Sequence, residues 1–492
     1  MSFIIKRVDQ LLNSITMYRL LLYGLILLLV LASFFGFMGV LSLSGLGIVL
    51  VAVVLVAVSY LTNKLLEKLY GAVTNSESYL ITALILACIL PPSTTVARLS
   101  YVALAGAVAV VSKFLISYHH KHIFNPAVAG ALFLSLTGLM SVTWWIGNPT
   151  MLPFVVIFGL LILRKIRGFK LALTFVAASI AMLVLVGVVG SLPLVTLLKN
   201  AVLSGPLIFL ASVMLTEPAT MPVHEYYQLL YGLLVGALFS AQLRFGILST
   251  SPHMVLAVGN IFAFILNPKF KLNLTLKAKN EISPRVYDYV FKPDHRFSFE
   301  PGQYMEWTMP NMKSDGRGNR RSFTIASSPT EPDVHMGVKF YAPPSNFKRA
   351  LFNMKPGDKI AAGQLAGNFT LPTDSSKKLV FIAGGVGVTP FRSMAKYLTD
   401  TREQRDIVLF YLVSDAAELA YTDIFTSTPG LKFVPITSGR LSLKQLAGHV
   451  PDFSERLFYI SGPNGLVESY RELLRHHGVH ASQIISDYFS GY

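Results

Sequence analysis

Cysteine is almost missing from this 492-residue chain, and the one residue present, Cys88, lies inside an apolar run. No disulfide, no cysteine-ligated zinc site and no four-cysteine iron–sulfur cluster can be assembled from the chain alone. Charge is scarce too, at 14% against 53% hydrophobic residues, and the part before residue 268 holds only 5 Asp/Glu beside 14 Lys/Arg. No histidine precedes His119. A mean hydropathy of +0.54 places the chain among membrane proteins, and its length implies more than one domain. The net charge of +16 fits Lys/Arg-rich inner loops of such a protein better than a nucleic-acid surface. The N-terminal "MSFIIKRVDQLLNSITMYRL" has no small-residue cleavage site and reads as a cytoplasmic start before the first helix.

Apolar runs follow one another up to about Pro268, and none beyond it is long enough to span a bilayer. Ten segments are expected, at roughly 18–39, 44–62, 78–92, 98–117, 125–142, 151–164, 171–190, 200–216, 226–241 and 252–267. With the N-terminus inside, the inward loops carry Lys64, Lys68, Lys121, Arg164, Lys165, Arg167 and Lys170. The outward loops carry only Arg98, Lys199 and Arg244, so the positive-inside pattern puts both termini on the cytoplasmic face of the inner membrane.

The third segment ends "ILPPSTTV" and the eighth "LTEPATMPV"; some 35 residues after each comes a proline-led helix start, "FNPAVAG" or "SPHMVLAVGN". Proline interruptions at matching places of two five-helix halves mark an inverted repeat, with helix ends exposed near the repeat interface. Ordinary boundary prolines are the alternative at any single site.

These stretches resemble the family of the Rnf complex D subunit and the sodium-pumping NADH:quinone reductase B subunit. The resemblance implies flavins held in a membrane domain. One is an FMN joined through its phosphate to a threonine of a Ser-Gly-Ala-Thr stretch, outside the membrane after the fifth helix. The matching place is "TWWIGNPTMLP", which puts Thr150 at that position, although "GNPT" replaces the family's motif. A second, non-covalent flavin is expected at the repeat interface, with Asn125, Thr216 and Thr220 as candidate contacts. The plainer reading of "TWWIGNPT" is an interfacial turn anchored by Trp144 and Trp145.

Past residue 270 the pattern changes. Short alternating runs such as "VYDYVFKP" and "VHMGVKFYA", broken by "PG", "DGRGN" and "KPGD", predict a small antiparallel barrel. From "KKLVFIAGG" onward, apolar strands alternate with helical stretches, which predicts a parallel sheet with crossover helices. The expected division is a transmembrane domain over 1–267, a barrel over 268–375 and an α/β domain over 376–492.

Within this second part, "RRSFTIAS" offers a paired-donor arginine, an aromatic and a hydroxyl. "IAGGVGVTP" places glycines after a strand and Thr389-Pro390 at a helix start, where free N–H groups and the dipole receive a pyrophosphate. A barrel followed by such a sheet, with these motifs in this order, resembles the ferredoxin–NADP reductase superfamily over 270–492. The resemblance implies FAD held by Arg321, Ser322, Phe323 and Thr324, with Thr324 donating at the flavin N5. Tyr304 of "PGQY" and Ser345 of "SNFKRAL" are expected beside it. Nicotinamide nucleotide falls to Gly384, Gly385, Gly387, Thr389 and Pro390, and to Ser461, Gly462 and Pro463, with Ser461 where many relatives carry cysteine. Phe489 and Tyr492 of the closing "SDYFSGY" are candidates to cover the flavin face. Ser414, followed by Asp415, favours NADH, while Arg440 keeps NADPH open.

The expected function is therefore transmembrane electron transfer. NAD(P)H reduces FAD, with Thr324 and Ser461 as the catalytic residues. Electrons then pass to membrane flavins and on to a quinone, a flavinylated protein or an extracellular acceptor. No metal site, no nucleic-acid partner and no particular oligomeric state is implied. A haem-linked reductase is the runner-up, disfavoured because His119, His120, His122, His224 and His253 fall at helix ends or loops. A transporter with a regulatory reductase domain is the third reading, and Glu217 is its one conspicuous membrane carboxylate.

Overall fold

The structure is a computed structural model that describes all residues except 1–6, 9–11, 13–14, 71–75, 119–120, 223, 242–243, 246–247, 267–270, 311, 313–317, 438–439 and 490–492. Tyr492, His119 and His120 thus lie outside the described residues, as does the expected domain junction. The chain divides into two compact units, residues 1–271 and 272–492, with only 316–318 grouped otherwise.

The first unit is helical. Its helices are α1 (Met17–Phe37), α2 (Gly45–Tyr70), α3 (Ser76–Ile89), α4 (Val96–Leu115), α5 (Pro126–Thr137), α6 (Leu152–Ile166), α7 (Phe169–Val189), α8 (Leu194–Leu203), α9 (Glu225–Ser240) and α10 (Pro252–Leu266). Among the described residues four helices, α1, α2, α4 and α7, are long and apolar enough to cross a membrane. A fifth span arises if α8 and Leu207–Met214, bent by 54° at a short break, are taken together.

Local chemistry sets these ends. Asn125 Oδ1 accepts from the N–H groups of Ala127 and Val128 at 2.9 and 3.3 Å, and Pro126 follows it. Gly138 then turns left-handed at φ 68°, so α5 has 12 residues where the apolar run had suggested 18. Likewise "SGP" at 204–206 breaks the eighth segment, and Leu210–Met214 continues as a π-helix.

Contacts between helices run through small residues. A Cβ on Gly130 of α5 would stand 2.6 Å from the Ala105 carbonyl oxygen of α4, and one on Gly236 of α9 would stand 2.5 Å from the Phe175 carbonyl oxygen of α7. Such close backbone approach is the usual basis of helix association where lipid removes the hydrophobic drive.

The second unit holds two sheets. The first contains β1 (Lys271–Ser283), β2 (Val286–Pro293), β3 (Tyr304–Thr308), β4 (Arg320–Thr324), β5 (Val334–Lys339) and β6 (Lys359–Ala366), in the order β4-β3-β6-β1-β2-β5. The pairs β3–β4, β3–β6, β1–β2 and β2–β5 are antiparallel. Helix α11 (Asn346–Phe352) precedes β6.

The second sheet is parallel throughout: β7 (Leu379–Gly384), β8 (Ile407–Leu412), β9 (Leu431–Ile436), β10 (Leu457–Pro463) and β11 (Ile484–Phe489), in the order β9-β8-β7-β10-β11. Crossovers include α12 (Thr389–Thr401), α13 (Thr422–Ser427), α14 (Leu443–His449) and α15 (Asn464–His476). Every residue of β7 and β8 is buried, as expected of strands covered on both faces. The chain winds outward from β7 to β9, then returns to the other side of β7 as β10, which makes a topological switch between β7 and β10.

Gly236→Val drives a side chain into the α7 backbone and is expected to destabilise the first unit by roughly 1–3 kcal/mol, read as a lower Tm in detergent. Gly448→Ala in α14, where a Cβ meets nothing within 4 Å, should leave Tm unchanged or slightly raised.

Candidate functional site

The site of the second unit lies at the carboxyl ends of β7 and β10, on the two sides of the switch. There the chain leaves β7 through Gly384 and Gly385 and enters a 3-10 turn (Gly385–Val388) before α12. Gly385 adopts φ 52°, and a Cβ added to it would meet nothing within 4 Å, so its backbone faces open space. Gly387 is the opposite case: its Cβ would come within 2.5 Å of the Ser461 carbonyl oxygen and 2.6 Å of the Gly462 α-carbon. The two glycine turns thus press backbone on backbone at Gly387, where a side chain has no room, whereas at Gly385 it is the left-handed φ that disfavours one.

Ser461 is fully buried, and its hydroxyl has no hydrogen-bond partner among the described residues. The first sheet supplies a counterpart. Thr324, 3% exposed at the end of β4, also has a buried hydroxyl with no partner. Unmet buried hydroxyls are costly, so two of them at sequence-nominated positions point to a ligand that satisfies them. Tyr304 lies directly opposite Thr324 across the β3–β4 pair.

Arg321 and Phe323 meet the segment that Ser345 opens. Ser345 caps α11 by accepting from the Lys348 N–H at 3.3 Å, and this presents Phe347 to β4. The Arg321 guanidinium carbon lies 5.5 Å from the Phe347 ring centroid, and the Phe323 and Phe347 rings are 5.8 Å apart. Ser322, between them on β4, is exposed. Thr389 packs against Gly337 of β5, where a Cβ would stand 2.6 Å from its methyl group. Pro390 is buried in the first turn of α12.

Ser414, just past β8, is exposed, and Asp415 beside it accepts from the Ala417 N–H at 2.8 Å. Arg440, exposed, follows β9. Both therefore sit at carboxyl ends of strands in the same sheet. Gly462 and Pro463 pair with Tyr488 and Phe489 of β11, which sets the Phe489 backbone beside the "SGP" turn; its side chain lies outside the described residues.

The sequence reading missed a buried polar network behind the site. Arg392 in α12 pairs with Glu331, and Tyr421 donates to Asp288 Oδ1 at 3.0 Å. His335 Nδ1 lies 2.7 Å from the other Asp288 oxygen. Burial, reinforced by the charge of Asp288, pushes the Tyr421 phenol well above its ordinary range, so it stays a donor. Burial works against a charged Arg392, but hydrogen bonding and charge from Glu331 prevail and hold its pKa above the ordinary value. The available signal was a charge beside the apolar face formed by Phe391, Met394, Ala395 and Leu398.

In the first unit Asn125, Glu217 and Thr220 come together. Asn125 Nδ2 and Thr220 Oγ1 donate to Glu217 Oε2 at 2.8 and 3.0 Å, and the Asn125 N–H donates to Asn260 Oδ1 at 2.9 Å. Thr216 stands apart, its hydroxyl donating to the Ser212 carbonyl at 2.8 Å. The adjoining cavity, lined by His122, Thr220 and Asn260 among others, measures about 10 Å³, room for one water.

Thr150 is half-buried ahead of α6, beyond the far end of α5 from Asn125, a helix of about 18 Å at 1.5 Å per residue. Trp144 and Trp145 before it are buried, contrary to a role as surface anchors. Trp145 Nε1 donates to the Ala87 carbonyl at 2.9 Å, and Trp144 Nε1 to His253 Nδ1 at 3.5 Å. His253 Nε2 lies 2.8 and 2.9 Å from Ser135 and Ser251, so both ring nitrogens are engaged in hydrogen bonds. No group of three or more His, Cys, Asp or Glu with metal-holding geometry occurs among the described residues.

Residues 381–472 match the oxidoreductase NAD-binding domain family. An NADPH oxidoreductase of Mycobacterium tuberculosis is 30% identical over 191 residues, 36% of this chain and 49% of the relative. The glycine betaine monooxygenase reductase subunit of Pseudomonas aeruginosa is 28% identical over 210 residues, 39% of this chain and 57% of the relative. The chain thus spans about half the length of these curated relatives. Among solved structures, a flavohemoglobin from Malassezia yamatoensis with bound FAD and heme shares 20% identity at a TM-score of 0.41, covering 56% of this chain and 76% of that one. The match over 381–472 supports an NAD-binding oxidoreductase domain in the C-terminal part.

Gly387→Ala separates the two turns and is expected to weaken nicotinamide-nucleotide binding about five- to 150-fold, the range given by 1–3 kcal/mol of overpacking. Titration calorimetry on the full chain checks this.

Proposed function

We propose that this protein is a membrane oxidoreductase that takes electrons from cytoplasmic NAD(P)H through FAD and delivers them, by way of its membrane unit, to an acceptor in or across the bilayer. The observation that carries the reading is the buried, partnerless Thr324 hydroxyl. It closes the strand that also carries Arg321 and Phe323, while the equally partnerless Ser461 hydroxyl closes β10 at the sheet's switch point.

FAD, when bound, accepts a hydride from NAD(P)H and releases the two electrons one at a time. Arg321 would hold the FAD pyrophosphate with its paired donors, and Phe323 and Phe347 would line the site. Thr324 would offer its unpartnered hydroxyl as a donor to the flavin N5. The 384–390 turn and the start of α12 receive the dinucleotide pyrophosphate. Ser461 keeps water out beneath the nicotinamide and offers a hydroxyl where relatives place a thiol. Asp415 beside Ser414 disfavours a 2′-phosphate, which makes NADH the preferred donor.

For the membrane half, three features support an inverted five-helix repeat. Short hairpins, Ser117–Tyr118 with Lys121–His122 and Arg244–Phe245 with Leu248–Ser249, precede α5 and α10 at matching places. Gly106 of α4 faces Ser59 of α2, as Gly236 of α9 faces Ser179 of α7. The third and eighth segments both end in proline-containing turns. In the same reading Thr150 carries a covalent FMN on the outer side. The acceptor is a quinone, a flavinylated protein or an extracellular species, and the reductase unit is cytoplasmic. Residues 1–267, 268–375 and 376–492 then form the membrane, FAD and nucleotide domains.

Arg321→Ala should leave the purified protein with less than about a tenth of the wild-type FAD, as expected from losing a charge-assisted hydrogen-bond pair worth 1.5–3 kcal/mol, measured by absorbance after extraction. Wild type purified without FAD, and failing to take it up, overturns the reading. Separately, in cells with an active flavin transferase, wild type should give a fluorescent band on a denaturing gel and Thr150→Ala should not. A dark wild-type band removes the covalent FMN and makes a quinone the leading acceptor.

A further inference from the structure

Two residues past Thr324, the chain that leaves β4 is gripped from the nucleotide side. Arg392 Nη1 donates to the Ala326 carbonyl at 3.0 Å, and Ser393 Oγ donates to the next carbonyl, that of Ser327, at 2.6 Å. Both donors lie one helical turn after Thr389, where α12 begins. Two consecutive carbonyls behind the proposed flavin N5 contact are thus tied to two consecutive side chains behind the proposed pyrophosphate contact.

The grip is itself held on every side. Glu331 takes both terminal nitrogens of Arg392, with Nη2 donating to Oε1 at 2.9 Å, and the same carboxylate accepts the Ser328 N–H at 2.6 Å. The Arg392 guanidinium carbon lies 5.7 Å from the Tyr421 ring centroid, and Tyr421 connects through Asp288 to His335. His335 closes the loop, its N–H donating to Ser327 Oγ at 3.1 Å and its carbonyl accepting from the Ala326 N–H at 2.8 Å. Arg392, Ser393, Ser327 and Ser328 are all at most 5% exposed, so no solvent competes for these bonds. A planar fork that serves one carbonyl and two carboxylate oxygens while stacking on a ring is a task for arginine; a lysine ammonium has neither the plane nor the reach.

We infer that Arg392, held by Glu331, is a positioning residue for hydride transfer: it sets the distance between the Thr324 end of β4 and the nicotinamide side of the nucleotide module. This rests on the reductase reading above. In the step concerned, a hydride, two electrons with one proton, leaves nicotinamide C4 and arrives at flavin N5, and a second proton comes from solvent. Arg392 touches neither ring. Its effect is confined to alignment, to which such a transfer is steeply sensitive.

The test uses the full-length FAD-loaded protein and its Arg392→Lys and Ser393→Ala variants, with NADH in anaerobic stopped flow. For Arg392→Lys, flavin reduction should slow about ten- to a hundredfold at saturating NADH. The NADH Kd and FAD content should stay within twofold, and the isotope effect with 4-deuterated NADH should become more temperature-dependent. Ser393→Ala, which deletes one hydrogen bond without changing charge, should slow reduction less and in the same manner. Without nucleotide, amide exchange over 325–328 should rise in both variants. An Arg392→Lys protein that reduces flavin at the wild-type rate overturns the inference. So does one whose loss lies wholly in NADH affinity, or one with unchanged exchange over 325–328. Wild type that NADH does not reduce refutes the reductase reading instead.

Discussion

The contact on which the nucleotide module depends is backbone against backbone. The Gly387 α-carbon sits so close to Ser461 and Gly462 that a single added carbon would stand 2.5 Å from a carbonyl oxygen. That approach is possible only because β7 and β10 are parallel neighbours whose carboxyl ends are level, with Ala383 paired to Ser461. The strand order puts the switch between those strands, and the switch leaves a crevice where both chains turn away. Gly385 opens onto free space while Gly387 closes against the neighbouring turn. One glycine-rich stretch therefore does two mechanical tasks, access for a ligand and closure beneath it.

The membrane unit uses the same device for another purpose. Without water there is little apolar drive between helices, so close packing must supply the attraction, and glycine against a backbone carbonyl gives the closest approach. Asn125, Glu217 and Thr220 follow the complementary rule, that a polar group buried in such a bundle needs a partner. Asn125 does both jobs at once. Its carbonyl caps α5, its amide holds Glu217, and its backbone N–H is taken by Asn260, 135 residues away. A short helix inside the bundle is stable because its orphan N–H groups are met by that one residue.

Legibility followed the range of the interaction. Glycine turns and strand alternation are local, and the structure has strands where alternation predicts them and the "GGVGVTP" and "SGP" turns in contact at Gly387 and Gly462. Apolar runs located a helix in each of the ten segments, yet their ends were misjudged. Hydropathy averages over Gly138 and over "SGP" at 204–206, whereas the backbone stops there. Trp144 and Trp145 were open to reading as surface anchors because composition does not reveal which way an indole faces. Their partners, His253 and Ala87, lie 109 and 58 residues away. Phe347 escaped notice for the same reason: only the Ser345 cap turns it towards β4.

The Arg392–Glu331 pair, 61 residues apart, was the least legible element and is the most instructive energetically. Arg392 is deeply buried and Glu331 only partly exposed, and in such pairs the loss of hydration roughly cancels the attraction. A well-packed apolar pair would serve stability equally well. What apolar side chains cannot supply is direction, because they slide past one another at little cost, whereas a guanidinium bonded to a carboxylate and a carbonyl has one satisfactory orientation. On the proposed reductase reading, in which two sheets hold two ring systems in contact, orientation is the quantity that matters. A costly ion pair between α12 and the segment that follows β4 is therefore better explained by geometry than by stability.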